Sequence, residues 1–481
     1  MTGKDEMDAI QLFAQNFMKV QYGDLPQDVV EITKKEILDF LGVALAGYGS
    51  PGAKELADLL SGLGGKEESS AICHKKKLPA PVAAQINATM GHGLDFDDVH
   101  DLAVMHPAVP VVPACLAVSE SLGGMSGKKL ITAVALGVDM ICRLALATRP
   151  GYDPSVPETK KLAFQAERVK NGWHLTTVMG YLAVAGATAK LIGLDEARMV
   201  NAFGLALHQC SGSHQGRDDG AHTKRLGPGF ASGGGVLSSL MAQKGITGAK
   251  NVLEGPMGLY QMYFQGGYDP TALTADLGRN FEGKNVSFKP YPCCRGTHTN
   301  IDAALALVRN EKIRPEDVRA VKVFVDTGVH QMLCSPLEVK AKPRTPVDAQ
   351  FSIPWGVATA LARGQVGMEH YTDAAIQSRD ILEVAHKIAV VLDRSLDTSH
   401  KTPAGRVQIE TQTGEHFTSQ VEYPLGSPES EMTLDDCVAK FKSCADYSVA
   451  DIPHEKQDAV IEMIKNLEHS KDAGSIMELM R

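Results

Sequence analysis

Residues 91–114, GHGLDFDDVHDLAVMHPAVPVVPA, place four carboxylates (Asp95, Asp97, Asp98, Asp101) and three imidazoles (His92, His100, His106) within fifteen residues, ahead of an apolar run. Ionisable groups this dense can bind a cation, support helix ends, or exchange protons with a ligand. For a cation, Asp97-Asp98-Val99-His100-Asp101 fits the D-D-x-x-D spacing that sets hard oxygen ligands around magnesium. That chemistry calls for a second acidic motif on a facing helix, and the best candidate, Arg217-Asp218-Asp219-Gly220, is a loop sequence; no metal is expected. For helix support, Asp97 and Asp101 can cap helices or pair with arginines. For proton exchange, imidazole is the side chain that titrates near neutrality.

Three further stretches put a cation or an imidazole where a helix is expected to begin. Asn171-Gly172-Trp173-His174 leads into a small-residue helix, whose N-terminal N–H groups and dipole favour an anion. His222-Thr223-Lys224-Arg225-Leu226-Gly227-Pro228-Gly229 sets two cations before glycines that open another helix. Pro290-Tyr291-Pro292-Cys293-Cys294-Arg295-Gly296-Thr297-His298 does the same further on. Taken singly, a histidine of this kind can be a satisfied core residue and a Lys-Arg pair a solvated one. Taken together, they make a pocket for a ligand with several carboxylates, since Arg offers a bidentate fork and Lys a point charge. Cys293 and Cys294 could be a nucleophile or a redox pair, but no adjacent base supports that, and they are assigned to the pocket lining. Metalloprotease, serine-elbow and phosphate-loop motifs are absent. The glycines at 227, 229 and 233–235 do not have dinucleotide-loop spacing, so no nucleotide cofactor is expected.

Elements able to position these groups can be read from periodicity. Asp24 to Gly47 reads as a helix, with Asp24 as cap, Pro26 in the first turn, and Val30, Ile37, Leu41 and Ala44 on one face. Residues 128–149 are apolar nearly all round, the pattern of a helix surrounded by helices, and Asp139 lies four residues before Arg143, where the two can pair. Thr176 to Leu194 uses Gly and Ala where Leu is usual, which lets neighbouring backbones approach. Asp195 can cap a helix to about Gln209. After Gly266 the character changes: 318–329 alternates as a strand, and 406–424 reads as a hairpin turning at Gly414-Glu415 with Val407, Ile409, Val421 and Tyr423 on one face. Helical patterns occupy about 350–363 and 372–393, and helix returns after Ser427.

The 481 residues exceed what one core usually serves, which implies two domains. A net charge of −9, with only the short His74–Lys77 basic run, argues against nucleic acid. Nine cysteines without a C-x-x-C pair suggest reduced, mostly buried thiols. The start MTGKDEMDAI lacks an apolar signal segment and no uncharged apolar run reaches ~18 residues. A soluble, cytoplasmic protein without a membrane partner is expected.

The motifs LDFDD…HP (94–107), G-W-H (172–174), H-T-K-R-L-G-P-G (222–229), K-P-Y-P-C-C-R-G-T-H (289–298) and D-A-Q-F-S-I-P-W (348–355) together resemble the MmgE/PrpD family. That family includes 2-methylcitrate dehydratase, cis-aconitate decarboxylase and iminodisuccinate epimerase. The resemblance runs in consistent order from about residue 10 onward. It implies a mainly α fold: a large all-helical bundle domain from 1–267 and 427–481, with a smaller α+β lid domain from 268–426. It also implies a homodimer with no metal or organic cofactor.

Carried over residue by residue, the catalytic positions are Asp95, His106, His174 and Lys224. Substrate-binding positions are Arg225, Arg295, His298, Cys294 and Gln331. Two departures stand against cis-aconitate itself: Val99 where the family's decarboxylase has threonine, and Gln331 or a neighbour where it has a pocket tyrosine. The expected reaction moves a proton on the carbon next to a carboxylate of a small di- or tricarboxylic acid. Lys224, Arg225 and Arg295 would hold carboxylates, His106 and His174 would exchange the proton, and Asp95 would orient or charge one imidazole. Dehydration is the first expectation; epimerisation or decarboxylation is the alternative.

Overall fold

A computed structural model describes residues 7–148, 172–397 and 402–481; Arg149 and Asn171, each part of a motif above, lie outside the described residues. The chain is mainly helical and divides into two compact units. One comprises Met1–Gly93, Asp97–Val286 and Thr433–Arg481; the other comprises Leu94–Phe96 and Ser287–Met432. Helices of seven or more residues and strands of five or more are numbered in chain order.

The first unit begins with α1 (Ala9–Lys19), α2 (Gln27–Ala46), α3 (Ala53–Leu63), α4 (Ala80–Gly91), α5 (Ala108–Leu122) and α6 (Gly127–Ala147). It continues with α7 (Leu175–Ile192), α8 (Glu196–Leu207) and α9 (Thr223–Gln243). Helix α7 sits among α5, α6, α8 and α9. Both α6 and α7 are long and apolar enough to cross a membrane by length and composition, and both are buried inside the unit. The small residues of α7 and α9 serve close packing. A Cβ on Gly227 would lie 2.3 Å from Thr177 Oγ1, and one on Gly229 would lie 2.2 Å from Thr89 Oγ1. Only hydrogen fits between α9 and its neighbours at those points.

Asp195 caps α8 by accepting from Arg198 N, as its sequence position suggests. Asp24 does not cap α2: it closes a separate turn by accepting from Gln21 N, and Pro26 takes the capping position. Helix α9 starts earlier than its glycines imply, so Lys224 and Arg225 lie in its first turn, with Pro228 inside the helix.

Arg143 explains why residues 268–286, expected from the sequence in the smaller domain, pack in the first unit. Its Nε donates to both Asp139 oxygens at 3.0 Å, while Nη1 reaches Ala275 O at 2.8 Å and Nη2 reaches Asn280 O at 2.6 Å. Asp139 in turn accepts from Glu282 N at 2.8 Å. The ion pair is wholly buried, and burial outweighs the guanidinium to hold the Asp139 carboxyl up at about 6. Two helices from the far end of the chain, α13 (Leu434–Tyr447) and α14 (His454–Lys465), complete the unit. Lys440 on α13 makes a buried ion pair with Asp39 of α2 at 2.7 Å.

The second unit holds α10 (His298–Glu311), β1 (Val318–Val325), α11 (Ile353–Arg363), α12 (Arg379–Ala385), β2 (Ile388–Leu392), β3 (Gly405–Thr411) and β4 (His416–Val421). The sheet order is β2-β1-β3-β4. Strand β2 is parallel to β1, and the other neighbours are antiparallel. Val321, Val323, Val325, Val407 and Ile409 point into a core shared with Ile301, Leu305 and the fully buried Trp355. The segment 372–393, expected as one helix, instead breaks after α12, because the β-branched run at 388–391 pairs with Val321–Phe324. Tyr423 lies beyond the hairpin and is exposed; Phe417 takes the place opposite Ile409.

Replacing Arg143 by Met leaves Asp139 buried without its cation, and Arg143→Met is expected to cost ~3–5 kcal/mol. Urea unfolding at pH 8 measures the loss. It should shrink at pH 5, where the Asp139 carboxyl takes up a proton in the folded state and no lone charge remains.

Candidate active site

Four helix ends converge in the first unit. His92 directly follows α4, His106 precedes Pro107 at the start of α5, His174 stands immediately before α7, and Lys224 is the second residue of α9. Three of these ends are N-termini, whose free N–H groups and dipoles favour an anion.

The imidazoles form a contiguous group. Ring centroids are 4.8 Å apart for His92–His106, 5.7 Å for His92–His174 and 5.1 Å for His174–His214. One carboxylate oxygen organises two of them: Asp97 Oδ2 lies 2.8 Å from His92 Nδ1 and 3.2 Å from His106 Nδ1. His106 Nδ1 also lies 2.6 Å from the Asp98 carbonyl oxygen. A carbonyl can only accept, so His106 carries a proton on Nδ1, and in the neutral ring the lone pair is on Nε2. On the far side of His92, Nε2 faces Lys224 Nζ at 3.1 Å. An ammonium only donates, so His92 likewise carries Nδ1–H, given to Asp97. Asp97, expected to cap a helix or pair with an arginine, is bonded to imidazoles instead.

Neighbouring acids have other duties. Asp98 Oδ2 accepts from Ala108 N at 3.0 Å and so caps the start of α5, and burial, then Asp97, pushes its carboxyl well above the usual range. His100 turns toward Glu282 at 3.5 Å and accepts from Ala103 N, tying the loop to the helical unit. His174 is buried, with Nδ1 2.7 Å from Thr177 Oγ1. Burial first, then His92, His214 and Lys224, hold its imidazole well below the ordinary histidine range. The segment carrying it is pinned by His174 N→Gly212 O at 3.1 Å and His214 N→Gly172 O at 2.8 Å.

These atoms account for the site positions read from the sequence in the first unit: His106, His174 and Lys224 come together. Arg225 follows Lys224 in sequence, but its Nη1 donates to Pro51 O at 3.0 Å. The ligand-type atoms of His92, Asp97 and His106 lie within 4.8 Å of one another, a spacing that could suit a cation. His92 and Asp97 are also bonded directly to each other within that group. His92, His214 and Thr177 were not singled out as site residues from the sequence. The signal for His92 was present, as it opens the same acidic stretch; His214 and Thr177 carried none beyond residue type.

Asp95 belongs to the second unit. Its backbone takes φ +53°, uncommon for a residue with a side chain, and Lys289 Nζ donates to its carbonyl at 2.6 Å and lies 3.4 Å from Oδ2. Arg295 is buried and gives Nη1 to Leu425 O at 2.9 Å, with His298 Nδ1 at 3.2 Å. His298 Nε2 meets Cys293 O at 3.3 Å, so its Nδ1 accepts from Arg295. Burial and the neighbouring cations hold it well below the usual histidine range. Cys294 is half-buried, while burial pushes the Cys293 thiol up to about 12. Gln331 is exposed on the His330–Cys334 turn. Lys289 is a further buried cation, just ahead of the Pro290–His298 motif.

The helical scaffold thus brings clustered imidazoles and an ammonium at helix ends to a buried carboxylate in the loop after α4, an arrangement able to bind a small anion and exchange protons with it. Family models agree in extent: the MmgE/PrpD N-terminal domain matches residues 11–271 and the MmgE/PrpD C-terminal domain matches 291–469. The chain belongs to the MmgE/PrpD family. It is 28% identical to the cis-aconitate decarboxylase of Aspergillus terreus, over 95% of this chain and 92% of that one. It is 25% identical to the cis-aconitate decarboxylase-like protein oryM of Aspergillus oryzae, over 95% and 94%. The human cis-aconitate decarboxylase is 24% identical, over 98% and 94%.

His174 is expected to remain neutral through pH 6.5 and to protonate only well below it, because the folded state binds that proton less tightly than the unfolded chain does. Its side-chain NMR signals, assigned with His174→Gln, check this in a titration from pH 8 to pH 5. A midpoint at or above 6.5 contradicts the buried, cation-flanked placement.

Proposed function

We propose that the chain is a cofactor-independent lyase that acts on a small di- or tricarboxylic acid by moving a proton on the carbon next to a carboxylate. The observation that carries this reading is the Nδ1–H form of His106, whose Nε2 lone pair belongs to the same cluster as the Lys224 ammonium. Such a carbon is a weak acid, since deprotonation adds negative charge to an anion. Fixed positive charge and N–H donors must offset that charge in the transition state. In this reading His106 Nε2 removes the proton, and the C–H electron pair stays on the substrate as an enolate. Lys224 and the N-termini of α7 and α9 offset the charge. His174, kept neutral, donates to the oxygen on which charge develops. By family resemblance, Arg295, His298, Cys294 and Gln331 of the second unit are substrate positions. The same resemblance supports a homodimer, and a cytoplasmic location is proposed with it.

Which group leaves is the finer part of the proposal. Loss of hydroxide, as in a dehydratase, is the first reading. Loss of carbon dioxide is the second, favoured by the likeness to named decarboxylases across more than nine-tenths of their length; there the C–C electron pair stays on the substrate as the enolate, and a protonated imidazole delivers the proton instead of removing one. Val99 and Gln331, at the two departures noted above, weigh against cis-aconitate as the acid.

Proton NMR in deuterium oxide, with citrate-like, aconitate-like and aspartate-like acids and enzyme dialysed against a chelator, separates the outcomes. New alkene signals mean elimination, carbon dioxide release means decarboxylation, and deuterium uptake with inversion means epimerisation. No change in any acid, and no exchange at any α-carbon, would overturn the reading. His106→Ala should lower turnover by about 10³-fold or more with the fold retained by circular dichroism.

A further inference from the structure

The buried imidazole of His92 has no part in the mechanism above, yet it touches both ends of it. Its Nδ1 lies 2.8 Å from Asp97 Oδ2, the oxygen that also faces His106 Nδ1, and its Nε2 lies 3.1 Å from Lys224 Nζ. The line Lys224–His92–Asp97–His106 is therefore continuous, and all of it lies within the first unit. The charged and titratable groups around His92 include Lys224 from α9, His174 from α7, and Asp97 and His106 from the loop between α4 and α5.

We propose that His92 is the positioning residue of this site: it aims the Lys224 ammonium and, through Asp97, couples that cation to the base His106. The inference rests on the reading of the cluster as a proton-transfer site. With His106 neutral, Asp97 shares its charge with His92, whose Nε2 becomes a strong acceptor and holds an N–H of Lys224. When His106 Nε2 takes the substrate proton, the new imidazolium draws Asp97 toward its own Nδ1–H. His92 then accepts less strongly, and Lys224 turns an N–H toward the enolate. No proton leaves Lys224: the substrate C–H bond breaks, an N–H bond forms at His106, and the lysine only changes the acceptor it serves. The cation is thus delivered as the negative charge appears.

Two amides dissect the imidazole. Asn at position 92 retains a donor near Nδ1 for Asp97, and Gln retains an acceptor near Nε2 for Lys224, but neither polarises one contact through the other. Both His92→Asn and His92→Gln should lower kcat about 100-fold while KM changes less than fivefold, and both should shift the acid limb of the kcat/KM profile that reports His106. Free imidazole should restore at least tenfold of the activity lost in His92→Gly. Either amide variant keeping kcat within threefold, with an unmoved pH profile, would overturn the coupling.

¹⁵N-histidine NMR of the unsubstituted protein tests the geometry without substrate and without any risk of misfolding. It should show His92 as Nδ1–H with a hydrogen-bonded Nε2, and an Nε2–H form would overturn the inference. If no acid is turned over but this tautomer is found, it is the proposed function that falls and not the placement of His92.

Discussion

The structure depends on giving a buried carboxylate its hydrogen-bond partners. Asp97 is almost completely shielded from water, and an isolated carboxylate in such a place would take up a proton rather than remain ionised. Two imidazole N–H groups, with a lysine one step further on, supply what water no longer does. Each partner sits at a different helix end, so the bonds running out from position 97 tie the ends of α4, α5 and α9 together. Proximity of this kind fixes tautomers as well as positions: every imidazole whose bonds are clear in the cluster points a known nitrogen at a known partner.

Close helix packing makes that convergence possible. Gly227 removes the side chain that would otherwise strike Thr177 Oγ1, the partner of His174. A larger residue would push the first turn of α9, and Lys224 with it, away from α7. The apolar lengths of α6 and α7 belong to the same arrangement. They are hydrophobic on nearly every face because they are buried among other helices, and a buried ion pair on α6, Asp139–Arg143, clamps the chain segment that follows α9.

Much of this was legible in the residue order, and the limits were physical. Short-range rules held where both partners lie on one element: Asp139 and Arg143 pair at helical spacing, Asp195 caps the helix it precedes, and His174 stands at a helix start. They failed where the partner comes from elsewhere. The bond between His92 and Lys224 spans 132 residues, and nothing local marks His92 as different from His100 in the same stretch. Helix spacing likewise suggested continuity through 388–392, but a free sheet edge beside β1 made the β-branched side chains worth more as a strand. Asp24 was outcompeted as a cap by Pro26, whose fixed φ already suits a helix start.

The buried Lys440–Asp39 pair has a bearing on how the chain is made. It joins α13 to α2 across some four hundred positions, and the helical unit is interrupted by nearly the whole of the other one. During synthesis, the segment 287–432 can reach its own sheet and core while α2 still lacks its mate. The early helices must then wait, with the Asp39 charge in need of hydration, until α13 leaves the ribosome. Long-range closure of this kind is slow, and it leaves apolar surface open in the interval. Nascent chains stalled short of residue 440 should therefore be the ones that engage chaperones.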